Sequence, residues 1–212
     1  MESQFTYEWL IDQLAESSQG IEKLERAFSW SIGYKPFGEK DAKRGYAPSS
    51  IEGFLKVISK IRGIKSINSF VDLGCGIGSK CAIARIMGIN DVSGVEIHPE
   101  MLKVANVLSK RHNFYVHNQD INHFDFSGYD IIYLFYPIDG TPRFTDNLLD
   151  KLNKNQVIVS SEESRQLSIQ NPKYIAKFDN FLIKSKDTDF IRAIDAGNNK
   201  IDEITKKWYQ VI

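Results

Sequence analysis

The chain has little cysteine: among 212 residues only Cys75 and Cys81 occur, six positions apart. Two thiols at that spacing make neither a disulfide framework nor a zinc pattern, and they fit a reducing, cytoplasmic setting. It also lacks net charge, with 27 basic residues against 27 acidic ones, so no global field advertises a nucleic-acid or membrane partner. Long apolar runs are missing. The longest, IIYLFYPI, is too short to cross a bilayer, and the opening MESQFTYEWL has no basic segment followed by an apolar one, which argues against secretion and membrane insertion. His98, His112, His117 and His123 form no metal-ligand spacing, so no metal is expected, and no repeat or low-complexity tract is present.

What remains is ordinary globular material, 42% hydrophobic and 25% charged, enough for one substantial core with decorations. Residues 1–48 read as a helical cap followed by a loop. Phe5, Trp9, Leu10 and Leu14 mark one helical face, Ile21, Leu24 and Phe28 another, with a break near Ser17-Ser18-Gln19-Gly20. The acids of residues 1–30 (Glu2, Glu8, Asp12, Glu16, Glu22 and Glu25) precede a basic stretch over 31–66, and both read as solvated helix faces, the basic one also as a rim beside a substrate site. GYKPFGEKDAKRGYAP (33–48) holds three glycines and two prolines and reads as a loop. Ser49-Ser50-Ile51-Glu52 then matches a capping box that opens a helix over 49–62.

Strands and helices alternate after it. Strands are expected at Ser69–Leu73, Val92–Ile97, Phe114–His117, Asp130–Phe135 and Gln156–Ser160, with helices at Ser79–Met87, Pro99–Arg111 and from Thr141-Pro142 through Phe144, Leu148 and Leu152. That order implies right-handed crossovers, a mostly parallel sheet and helices on both faces: an α/β, Rossmann-like, doubly wound architecture. Tyr174–Phe178 and Phe181–Ser185 around Asp179-Asn180 read as a hairpin that adds an antiparallel C-terminal edge. The stretch from Asp187 to Ile212 is expected to add one more strand pair ending in WYQVI.

The chemistry concentrates in VDLGCGIGSK, residues 71–80. Ligands of open parallel sheets bind beyond the carboxyl ends of the strands, and the first strand-to-helix turn lines that crevice. Glycines there permit positive φ and let backbone approach a ligand without a Cβ in the way. The helix that follows aims free N–H groups at an incoming anion. A dinucleotide fingerprint needs G-x-G-x-x-G, and here the third glycine comes one residue early. Asp72, two residues before Gly74, would repel a pyrophosphate but pair with a ligand ammonium.

The pattern D-x-G-x-G-x-G, from Asp72 through Gly74, Gly76 and Gly78, resembles the first motif of the class I, seven-strand S-adenosylmethionine-dependent methyltransferases. The resemblance implies a seven-stranded sheet, S-adenosyl-L-methionine as cofactor, and a methyltransferase domain over 49–212. It also assigns residues in order. Asp72, Gly74, Cys75, Gly76 and Gly78 would receive the amino-acid end of the cofactor. Glu96 in VSGVEIHP would hold the ribose hydroxyls, with Ile97 against the adenine. Asp120 in HNQDI would meet the adenine amino edge beside Ile121, although Asp125 and Asp130 lie near and an acid after a strand is also turn chemistry. YDIIYLFYPI would deliver Tyr136 and Pro137 where the family orients its substrate, and Tyr46 or Phe37 would lie over the sulfonium. Tyr136 reads equally as a half-buried aromatic, Cys75 as a small turn residue and Lys80 as a solvated helix residue.

Methyl transfer from a sulfonium is an in-line displacement that needs alignment above all; an amine nucleophile must also lose a proton, for which Tyr136, Glu162 or Glu163 are candidates. FYPID lacks the N/D-P-P-Y/F pattern of enzymes that methylate nucleic-acid amines. GYAPSS together with the strand-four turn is similar to a lysine methyltransferase-like subgroup, which puts a protein lysine first as acceptor, ahead of a small molecule or RNA. The alternatives of another class are an NAD(P)-dependent oxidoreductase and a non-catalytic cofactor-binding protein.

Overall fold

A computed structural model describes residues 18–31, 49–134, 151–161, 174–178 and 181–196. Helix α1 spans Ser18–Ser31 and α2 spans Ile51–Arg62. They are followed by β1 (Ser69–Leu73), α3 (Ser79–Ile86), β2 (Asp91–Glu96), α4 (Pro99–His112), β3 (Tyr115–Asn118), a 3₁₀ turn (Ile121–His123) and β4 (Ile131–Leu134). Strands β5 (Val157–Ser161), β6 (Ile175–Phe178) and β7 (Phe181–Lys184) and helix α5 (Thr188–Ala196) complete the described elements. One seven-stranded sheet runs in the order β3-β2-β1-β4-β5-β7-β6. The first five strands are parallel, and β7 pairs antiparallel with both β5 and β6. The order reverses between β1 and β4, which puts the switch-point crevice at the carboxyl ends of those strands.

Period-two alternation divides β1 between two cores. Phe70 belongs to the larger cluster, with Ile21 and Leu24 of α1, Phe54 and Ile58 of α2, Ile83 of α3, Val104 of α4 and Ile191 of α5. Val71 and Leu73 point the other way, into a cluster with Val95, Ile132, Phe126 and Leu152. The α1 helix is thus part of the main core. Each fully buried Leu, Ile or Phe of this kind contributes about 1.5–3 kcal/mol relative to exposure.

Two local expectations shift. The helix cap is Ser50, not Ser49: Ser50 Oγ accepts the Gly53 N–H at 3.2 Å, while Ser49 Oγ accepts the buried Tyr133 hydroxyl at 2.6 Å. Glu52 instead faces Lys56 at 2.9 Å, one helical turn on. The extra strand pair expected after Asp187 is overturned over 188–196, which is helical. Asp187 caps that helix, its Oδ1 accepting the Phe190 N–H at 3.0 Å, and Phe190, Ile191 and Ile194 bury one face at helical spacing. The WYQVI end, the first helical face expected around Trp9, the loop expected over 33–48, residues 141–150 of the helix expected from Thr141 through Leu152 and the turn expected at Asp179-Asn180 lie outside the described residues. Among the described residues no helix is long and apolar enough to cross a membrane.

Candidate functional site

The turn after β1 is built by backbone conformation. Gly74, Gly76 and Gly78 take φ of 85°, 56° and 81°, a region that costs an L side chain about 1–2 kcal/mol. Gly74 N–H and Cys75 N–H both donate to Val95 O, at 2.8 and 2.9 Å, which folds the turn back over the end of β2. Gly78 is the cap residue from which α3 starts. A Cβ on Gly78 would lie 2.8 Å from the Phe114 ring, so that glycine is required by packing. A Cβ on Gly74 would meet nothing within 4 Å: the turn is open on that side.

Two acids stand at this opening. Asp72, paired in register with Gly94 on one side and Tyr133 on the other, is buried. Burial lifts its carboxyl to about 7, Lys80 draws it back down, and Glu96 and Glu25 push it up further. Glu96 closes β2. Its Oε2 accepts the Gly76 N–H at 2.9 Å, and its Oε1 accepts the N–H groups of Ile97 and His98, each at 2.8 Å. Ile97 stands beside it with an apolar side chain 58% exposed.

The other expected residues divide. Asp120 lies two residues beyond β3, 44% exposed, with Oδ1 accepting both the N–H and the side-chain amide of Asn122 at 2.8 Å. The Asn122 N–H holds its carboxyl below the usual range. Ile121 packs partly buried against the second core. Of the competing acids, Asp130 accepts the Asn68 and Ser69 N–H groups at the start of β1, the opposite end of the sheet, and Asp125 accepts the Ser127 N–H. Cys75 turns its thiol against Gly94, whose place a Cβ would contest at 2.6 Å, so only its backbone faces the opening. Tyr46, Phe37, Tyr136, Pro137, Glu162 and Glu163 lie outside the described residues.

Sequence reasoning missed a buried pair. Lys80, expected to be solvated, is 4% exposed and its Nζ lies 2.7 Å from Glu25 Oε1; Ser79 Oγ donates to the same oxygen. The signal was present in α1, where Glu25 holds the i+4 place of the apolar face that Ile21 and Leu24 define. Among the described residues no group of three His, Cys, Asp or Glu side chains could hold a metal.

The comparisons agree with this geometry. A family model described as a methyltransferase domain matches residues 64–210. Among solved structures, an RNA methyltransferase from Salinibacter ruber in complex with S-adenosyl-L-homocysteine superimposes with a TM-score of 0.51 at 17% identity, covering 65% of this chain and 91% of its own. A Podospora anserina methyltransferase bound to the same molecule gives 0.50 at 14% identity, covering 78% and 96%. At such identities the likeness is one of fold. No curated protein matches the sequence.

Proposed function

The chain belongs to the methyltransferase-domain family and is an S-adenosylmethionine-dependent methyltransferase, and from that premise we propose that the crevice beyond β1 and β2 binds the cofactor through Asp72, Gly74, Cys75, Gly76, Gly78, Glu96 and Ile97, with Asp120 and Ile121 along its far edge. The observation that carries the reading is the juxtaposition of two buried acids, Asp72 and Glu96, with a turn that is open at Gly74. The family match displaces the oxidoreductase alternative, in keeping with the early third glycine.

The donor set fits the group. A carboxyl that burial holds near neutrality gains most from a cationic partner, and the ligand amino group is one. Glu96 already accepts three N–H groups, and four acceptor sites on a carboxylate leave room on Oε2 for a ribose hydroxyl. Exposed Ile97 offers an apolar surface for a flat ring. When bound, S-adenosylmethionine supplies a methyl group on a sulfonium with a neutral leaving group. The chain's own work is then positioning: fixed backbone in the glycine turn and a fixed Glu96 hold the cofactor so that its reacting end lies in the β1–β4 crevice.

For the acceptor we place a protein lysine first, supported by GYAPSS, Tyr136-Pro137 and the absence of the nucleic-acid amine motif. The buried Tyr133–Ser49 hydrogen bond anchors the end of the GYAPSS segment to β4. Thermal shift with S-adenosylmethionine and with NAD tests the cofactor: stabilisation by the first alone is expected. Incubation with methyl-labelled cofactor and cell lysate tests the acceptor. Label confined to RNA or to small molecules would remove the lysine reading and leave the cofactor reading intact.

A further inference from the structure

The Glu25–Lys80 pair has no part in the cofactor reading above, yet it sits against it. Both side chains are buried, 2% and 4% exposed, and the contact joins the N-terminal helix to the first turn of α3, directly after the glycine turn. Ser79 donates to the same Glu25 oxygen, so that carboxylate holds two donors at the place where α3 begins. A buried ion pair of this kind adds little net stability over an apolar pair of the same shape, so its presence asks for another role.

Lys80 has two acids to choose between. Apart from burial, it is the largest influence on Asp72, drawing that carboxyl down while Glu96 and Glu25 push it up; Cys75, Cys81 and Tyr133 are the other titratable groups that sense Asp72. With α1 docked, the ammonium is held by Glu25 at 2.7 Å. Without Glu25, the buried ammonium is left with Asp72, the carboxyl it already draws down, and a ligand amino group would then meet an acid already neutralised.

We propose that Glu25 is a positioning residue for the cofactor site: by holding Lys80 it keeps Asp72 available to the ligand's amino group. The inference rests on the cofactor reading proposed above and adds a residue of the N-terminal helix to it. A merely structural Glu25 would behave differently: the stranded Lys80 would then lower the melting temperature, and Lys80→Met restore it, with cofactor affinity unchanged in every folded variant.

The test is a suppression experiment on the full chain. Calorimetric binding of S-adenosylmethionine at a pH above 8 is compared for the wild type, Glu25→Gln, Lys80→Met and the double variant, with the Asp72 carboxyl followed by carbon NMR titration in the cofactor-free protein. Glu25→Gln is expected to weaken binding about tenfold, and Lys80→Met added to it to restore binding to within about twofold, a coupling of the size seen between contacting residues. The Asp72 midpoint should fall in Glu25→Gln and rise in Lys80→Met. A double variant as weak as Glu25→Gln, or an unchanged affinity in Glu25→Gln, would overturn the proposal. Glu25→Asp, which keeps the charge but draws it back from Lys80, gives the same comparison if Glu25→Gln melts. Failure of the wild type to bind overturns the cofactor reading instead, and midpoints that move in the same direction then overturn this one independently.

Discussion

Glu96 and Gly76 are joined across the crevice: the carboxylate that ends β2 accepts, through Oε2, the N–H of the middle glycine of the turn after β1, at 2.9 Å. The acid is therefore part of the turn's scaffold as well as the acceptor proposed for the ribose. Glu96→Gln replaces one acceptor oxygen by an amide that faces either the Gly76 N–H or the Ile97 and His98 N–H groups. An unsatisfied buried donor costs about 1–3 kcal/mol, so the variant should melt several degrees lower and bind S-adenosylmethionine at least about tenfold more weakly. Melting curves with and without cofactor read both effects; a variant that loses affinity at unchanged stability would contradict the scaffold role.

Asp72 makes the fold pay for the site. Its folded pKa, about 7, lies above the unfolded value, chiefly because the carboxyl is buried. The folded chain thus holds more protons than the unfolded one between about pH 4 and pH 7, and stability falls as pH rises through that window. The loss is on the order of 4 kcal/mol from Asp72 alone once both midpoints are passed. Asp72→Asn should therefore raise the melting temperature at pH 8, with the gain closing toward about pH 4, while cofactor affinity drops. A parallel pH profile for the two proteins would remove the assignment.

The parts of the fold legible in the sequence are those with a strong local signal. Five parallel strands, the helices after β1 and β2 and the hairpin edge follow from apolar periodicity, and the three glycines follow from a backbone need that no other residue meets as well. Partners chosen across the fold were not legible. Nothing local distinguishes Ser49 from Ser50 until Tyr133 claims the first hydroxyl. Lys80 looks like any helix lysine until Glu25, fifty-five residues earlier, is found 2.7 Å from it. Gly94 looks like a weak spot in a strand until the Cys75 thiol is placed against it. The strand pair expected after Asp187 failed for a different reason: TDFIRAIDA is apolar at i, i+1 and i+4, a helical spacing that the β-rich neighbourhood obscured.

Both cysteines should be chemically silent in the native protein. A hydrogen bond with Cys81 and burial hold the Cys75 thiol well above its usual range, and burial raises Cys81 as well. Since the thiolate is the nucleophile, an aromatic disulfide reagent should modify neither residue until the chain unfolds. Modification followed through a urea titration should track the loss of helical signal; rapid reaction of either thiol without denaturant would show that the turn opens locally.

Gly74 and Gly88 separate the glycine turn's role in folding from its role in binding. Both take positive φ, 85° and 84°, and a Cβ on either would meet nothing within 4 Å. Gly88 ends α3, its N–H donating to Arg85 O at 2.9 Å, while Gly74 opens the crevice beyond β1. Alanine at either position imposes the same backbone cost, about 1–2 kcal/mol, so Gly74→Ala and Gly88→Ala should melt at similar temperatures. Only Gly74→Ala places a methyl group where the cofactor's amino-acid end is proposed to lie. Its affinity for S-adenosylmethionine should fall by about tenfold or more, while Gly88→Ala binds as the wild type does. Equal affinities in the two variants would mean that the open side of Gly74 is not the cofactor's side, and the ligand would have to be sought elsewhere along the β1–β4 crevice.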